Sequence, residues 1–189
     1  KTKEEVLDTA SFLPSVPQFG NYRSVLADSP IPGYLANSFF VSLAAAAIQL
    51  VCCALFTYAV TFMKIKGRDM LFRLVLFTYM VPTAVTYIPC YIILSWMGLL
   101  DSYQGLILSN GVSVFGIFLL HQAFEAVPKE TMEAARMDGA GHLSILTRII
   151  VPMTRPSFMT FILLSFINTY NSYMWPSLIT DSPNLSLIS

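Results

Sequence analysis

Apolar and polar positions along this chain fall into long blocks rather than a short helix or strand period. No charged side chain occurs between Ser29 and Met63, Leu74 and Leu100, Ser102 and Phe124, or Ser157 and Thr180. A helix crosses a bilayer core in about 20 apolar residues, so each block is long enough to span. The blocks predict spans at about 37–63, 71–94, 105–124 and 156–175. The alanine-rich middle of the first, SLAAAAIQL, suits close helix packing in a membrane. Pro82 and Pro89 interrupt the second, which predicts a kink or a broken helix. Residues 1–36 are polar and broken by Pro14, Pro17, Pro30 and Pro32, as short helices and turns outside the membrane would be. The stretch WMGLLDSYQG reads as a turn and PSLITDSPNLSLIS as a loop-like tail. The expected fold class is all-α, a polytopic transmembrane helical bundle. It comprises an extracytoplasmic segment, residues 1–36, and a membrane domain, residues 37–189, with a polar loop at about 125–155.

Composition agrees. Charged residues make up 12% of the 189 and hydrophobic ones 55%, with mean hydropathy +0.63. Soluble domains carry about 25% charged residues. A net charge of zero argues against a nucleic-acid partner. Cys52, Cys53 and Cys90 all lie in apolar blocks and read as small buried hydrophobes.

The basic residues set the orientation. Lys64, Lys66, Arg68 and Arg73 follow the first span, and Lys129, Arg136, Arg148 and Arg155 follow the third. The other two connections hold only Asp101 and Asp181. The basic loops are therefore expected in the cytoplasm, with the acidic ones and residues 1–36 outside. That placement implies a further span ahead of Lys1 and leaves room for one after Ser189. The expected location is a membrane crossed several times.

One polar segment stands out, EAARMDGAG at Glu133–Gly141. Pro128 suits a first helical turn, and Glu130 and Glu133 sit early, where the helix dipole favours negative charge. Asp138-Gly139 predicts a helix stop or tight turn. A second helix, about 142–151, places Leu143, Leu146 and Ile150 on one face, and Pro152 and Pro156 mark re-entry into the fourth span. Small residues at Ala134, Ala135, Gly139, Ala140 and Gly141 let another surface approach closely, and Glu133 or Asp138 offers a charge. The segment suits a docking knob or an amphipathic connector equally.

Inside the spans the polar residues are uncharged. Asn168, Asn171 and Ser172 recur near one face of the fourth, with Ser165 and Trp175 nearby. Ser109, Asn110 and Ser113 do the same in the third, and Thr83, Thr86 and Tyr87 flank the kink in the second. They suit the wall of a path for a neutral polyol. They also suit interhelical hydrogen bonds, worth about 0.6 kcal/mol each, and that is the favoured reading from the residues alone. The spans hold no Asp or Glu, which argues against an intramembrane enzyme and against ion coupling. His121 and His142 read as surface or interface residues. No G-x-x-x-x-G-K-[ST] loop is present, so the chain is not expected to hydrolyse ATP.

The segment EAARMDGAGHLSILTRIIVPMTRP resembles the EAA loop of the membrane-spanning subunits of ATP-binding-cassette importers. The matching positions are Glu133, Ala134, Ala135, Asp138, Gly139, Ala140, Ile149 and Pro152. NYRSVL, NSFFVSLAAA, YMVPTAVTYIPCYIILSWMGLLDSYQGLIL and NTYNSYMWP are similar to the carbohydrate-uptake branch, in particular its maltose-type second membrane subunit. Tyr170 and Ser172 depart from that branch, which has Trp and an acidic residue there. The resemblance implies a type I importer permease fold, transport by alternating access and a bacterial-type plasma membrane as the location. It implies a second permease subunit, two ATPase subunits carrying ATP and magnesium, and an external solute-binding protein touching the loops around Tyr103 and Trp175. The two short helices would be a coupling helix in a groove of the ATPase. Glu133 would pair with a basic group there, and Gly139 would permit close contact. An importer of a non-sugar solute, or an ion-coupled carrier, is the alternative.

Overall fold

A 32-residue helix, Ile31–Phe62, is the spine of the computed structural model, which describes residues 19–188. We label it α2; a short, exposed helix α1, Phe19–Asp28, precedes it. The expected turns at Pro14 and Pro17 lie outside the described residues. Helix α2 starts earlier than expected because Pro30 and Pro32 sit at its start, where a missing N–H costs nothing. Its buried stripe includes Ser38, Val41, Ser42, Ala45, Ala46, Gln49, Cys53 and Thr57, single residues or adjacent pairs recurring every three to four positions. These side chains are mostly small, so neighbouring helices can approach closely. Cys52 lies off the stripe and is exposed, contrary to expectation, because adjacent helical residues point about 100° apart.

Each later span is broken. Helices α3, Arg68–Thr78, and α4, Thr83–Trp96, meet at 102°. The break falls at Pro82, whose extended backbone caps α4, while Pro89 lies inside α4 without ending it. Helices α5, Tyr103–Ser109, and α6, Val114–Glu125, meet at 48°, a break the apolar block did not announce. Ser113 restarts the helix by accepting the Gly116 N–H at 3.1 Å. Helix α7, Lys129–Met137, leads to α8, His142–Met153, which turns by 87° into α9, Arg155–Tyr170. A short α10, Met174–Ile179, follows. Among the described residues, helix α2 alone is long and apolar enough to cross a membrane; counting each bent pair as one span gives up to four.

Helices α6 and α9 pack most extensively on α2. The main core joins Cys53, Tyr58, Ile117, Leu120, Phe124, Phe158 and Phe161. A second cluster holds Val41, Leu94, Leu106, Trp175 and Ile179 at the other end of α2. Buried polar side chains such as Ser42, Gln49, Thr57 and Ser165 lie inside, whereas Phe39, Leu43, Val51, Leu55, Ile88 and Trp96 face outward. That polarity suits a lipid surround rather than water.

The acidic end is clipped together. Asp101 adopts a positive φ of 51° and donates its N–H to Ile179 O at 2.8 Å. Its Oδ1 accepts the N–H groups of Asp181 and Ser182, both at 3.0 Å, and its Oδ2 accepts the Ser182 hydroxyl. The Ser182 hydroxyl, then the Ser182 and Asp181 amides, hold the carboxyl below its ordinary value of 3.8. These bonds favour the ionised form only in the folded state. Their stabilisation is therefore present above the unfolded pKa and lost as pH falls through the depressed folded one. Asp101→Asn should melt earlier than wild type at neutral pH in detergent, and the gap should close under acid. A gap unchanged by acid would contradict this.

The tail is not a free loop. Asn37 Nδ2 donates to Asn184 O at 2.7 Å, and Ile188 N donates to Ser38 Oγ at 2.8 Å.

Candidate functional site

The helical elbow forms where α7 stops. Pro128 starts the helix, Glu130 lies in its first turn and Arg136 in its last, as the dipole favours. Gly139 takes φ of 78°. Its N–H bonds to Arg136 O, and the Ala140 N–H reaches back to Ala135 O, each at 3.0 Å. This is a Schellman stop, and glycine takes its left-handed position without the strain a Cβ would bring. Helix α8 then begins at once. Its π turn, Leu146–Ile150, precedes Pro152, which has no N–H for the Arg148 carbonyl.

The elbow has an anchored face and a free face. Met132, Ala135, Ile145, Leu146 and Ile150 are buried in the main core. Glu133, Ala134, Asp138 and Gly139 are exposed, and Ala140 is half-buried. Ala135, expected among the residues another surface approaches, is only 8% exposed and packs internally. Leu143 was expected to share a face with Leu146 and Ile150, but it is 67% exposed because Ile145 takes the inward position. Met137 is 87% exposed. Two large apolar side chains are therefore exposed on the elbow, Met137 directly before Asp138 in the chain and Leu143 at the start of α8. Sequence reasoning missed Met137; its place directly before Asp138-Gly139, at the end of a polar helix, was the available signal.

A second site lies in the middle of the bundle. The α5–α6 break leaves the Asn110 carbonyl without a helical donor, and Gln49 Nε2 from α2 supplies one at 2.6 Å. The Ser165 hydroxyl of α9 donates to Gln49 Oε1 at 2.5 Å. Gln49 thus ties three elements, and sequence reasoning missed it, although it is the only amide among the alanines of SLAAAAIQL.

A cavity of about 170 Å³ lies against Gln49, Asn110, Ser113, Asn168 and Ser172. A neighbouring one of about 160 Å³ is walled by Thr83, Thr86, Tyr87, Ser109 and Trp175, with Asn110 and Ser172 again. Three of the expected path residues, Asn110, Asn168 and Ser172, thus converge. Asn171 does not: it caps the exposed end of α9 and lines neither cavity. Among the described residues, no Asp, Glu, Lys, Arg or His lines either space.

Trp175 is 6% exposed, stacked on Tyr87 at 5.3 Å, with its Nε1 donating to Ser109 Oγ at 2.9 Å. Its own ring is therefore turned inward, while Tyr173 and Met174 of the same outer loop are exposed. Tyr103 is half-buried and donates its hydroxyl to Asn37 Oδ1 at 2.8 Å. His121 stacks on Phe72 at 3.9 Å, and His142 is exposed beside Tyr58.

An apolar exterior, broken spans around polar cavities and a helical elbow at the basic end define a polytopic membrane protein of the transporter class. Residues 50–188 match the profile of the family described as binding-protein-dependent transport system inner membrane component. The chain belongs to that family and has the all-α permease fold of type I ATP-binding-cassette importers. It is 32% identical over 157 residues to the sn-glycerol-3-phosphate transport system permease protein UgpE of Yersinia pestis bv. Antiqua (strain Antiqua), covering 83% of this chain and 56% of that one. It is 31% identical over 173 residues to the arabinooligosaccharides transport system permease protein AraQ of Bacillus subtilis (strain 168), covering 91% and 62%. A crystal structure of a bacterial ABC transporter involved in the import of the acidic polysaccharide alginate superimposes with a TM-score of 0.85 at 29% identity, over 92% of this chain and 61% of that one. The chain thus spans little more than half the length of the first of these relatives.

Proposed function

We propose that this chain is the permease subunit of an ATP-driven, binding-protein-dependent importer of an uncharged carbohydrate. The carrying observation is the elbow. A stiff Schellman-stopped knob is rooted in the core by Met132, Ala135 and Ile145, and it offers Glu133, Ala134, Met137, Asp138 and Leu143 outward. That surface suits a groove on a separate ATPase subunit, which binds ATP and magnesium. Glu133 pairs with a basic group in that groove. The basic loops put the elbow in the cytoplasm. A second permease subunit completes the path, and a solute-binding protein delivers solute from outside.

The two cavities are this subunit's share of the path, with Asn110, Ser172 and Asn168 on its wall. The relatives are named for polyhydroxy solutes, two of them acidic. An anion in a low-dielectric path needs a cationic partner. The uncharged lining supports a neutral solute of the arabino-oligosaccharide kind. In proteoliposomes holding the full-length complex, uptake should require both ATP and the binding protein, and neutral sugars should compete better than acidic ones. Uptake driven by an ion gradient alone would indicate a secondary carrier instead.

A further inference from the structure

At neither end does the elbow continue as an unbroken helix. At its start, Pro128 is extended, with φ −58° and ψ 131°. At its end, Thr154 lies at an 87° turn, outside helical geometry at φ −108° and ψ 19°. Each joint interrupts the helical hydrogen-bond ladder, so neither continues the elbow as one rigid rod into its neighbour. The non-covalent ties to α2 are different.

Arg136 Nη2 donates to Phe62 O at 3.0 Å, taking one of the carbonyls that the end of α2 leaves unpaired. Its charge also faces the negative end of the α2 dipole. One helical turn back on α2, the Tyr58 hydroxyl and His142 Nδ1 share a hydrogen bond of 2.9 Å, and the two rings meet edge to face. The α7 and α8 arms of the elbow are thus each bonded to α2.

The surroundings make these ties stand out. Two clefts, of about 500 and 530 Å³, flank the elbow, and Phe62 and Arg136 are the walls they share. From Tyr58 the rings continue through Phe62, Phe124 and Phe158, at centroid spacings of 5.4, 6.0 and 6.0 Å, into α6 and α9. Arg68 reinforces the same helix end by donating to Thr61 O and Met63 O at 3.1 and 3.3 Å.

We propose that Arg136, Tyr58 and His142 are positioning residues that pass displacement of the elbow directly to α2, the longest rigid element of the bundle. The inference rests on the elbow docking on an ATPase, as proposed above. Apolar contacts beneath the elbow keep it attached but have no fixed direction. The directional bonds set where it points when pushed. Their removal should therefore uncouple transport from hydrolysis rather than abolish either the fold or the docking.

The test is uptake per ATP hydrolysed, in proteoliposomes of the full-length complex. Losing a charged hydrogen bond should lower that ratio about tenfold in Arg136→Ala, with hydrolysis continuing. Arg136→Lys, which retains a donor and the charge, should recover much of it. Tyr58→Phe removes a single oxygen and should lower the ratio about threefold, which keeps the test open if Arg136→Ala does not assemble. An unchanged ratio in both variants overturns the proposal. That includes the case in which uptake and hydrolysis fall in equal proportion, which marks a merely structural role. Wild-type uptake that needs no ATP would instead overturn the underlying docking reading.

Discussion

Gly116→Leu should leave little folded protein in the membrane. Gly116 on α6 faces Phe161 on α9, and an added Cβ would lie 2.2 Å from two carbons of that ring. Phe161 is 1% exposed and cannot swing aside, because Phe124, Phe158 and Ile117 share its core. Even Gly116→Ala forces the ring or the helix to move, at about 2 kcal/mol, and the larger leucine should cost about 3 kcal/mol or more. Against a net stability of about 5–15 kcal/mol, that is a large share. The measurement is thermal unfolding in detergent together with the amount inserted in the membrane. A cavity-making partner change should rescue: Gly116→Ala with Phe161→Leu should be less destabilised than the two single changes summed. Additive losses would show that the two residues do not press on one another.

Gly139→Pro should abolish transport while leaving the chain in the membrane. Proline holds φ near −65°, whereas this position sits at 78°. It would also remove the N–H that closes the turn on Arg136 O. The Schellman stop cannot form, so the knob loses its shape, while the apolar helices that hold the chain in the bilayer are untouched. Uptake should fall more than about tenfold, a loss typical of a displaced functional element. Gly139→Ala, which pays about 1–2 kcal/mol for a left-handed backbone but keeps the N–H, should fall in between. Normal uptake by the proline variant would reduce the elbow to a connector.

The spans and the elbow were legible because they depend on composition and local chemistry. Charge-free blocks mark where lipid can lie, and Asp138-Gly139 marks a helix stop whatever packs around it. The broken spans were less legible. Pro82 announced one break, but Asn110–Ser113 sits among apolar residues and hardly lowers the local hydropathy. Partners across helices were not legible at all. Gln49 matters because the α5–α6 break exposes a carbonyl opposite it, and Trp175 is buried because Tyr87 and Ser109 meet it there. Asn171 shares a helical face with Asn168 on paper, yet α9 ends at Tyr170 and turns it away from the cavities. Such facts depend on which helices meet, and neither spacing nor hydropathy carries that information.

The central claim is that the elbow receives motion from a motor outside this polypeptide. Photo-cross-linking from position 137, with a benzophenone residue replacing Met137 in the full-length chain within its native complex, tests it most directly. The account predicts a covalent adduct with a cytoplasmic ATPase subunit. Adducts formed only within this chain, or with a protein on the outer face of the membrane, would contradict it.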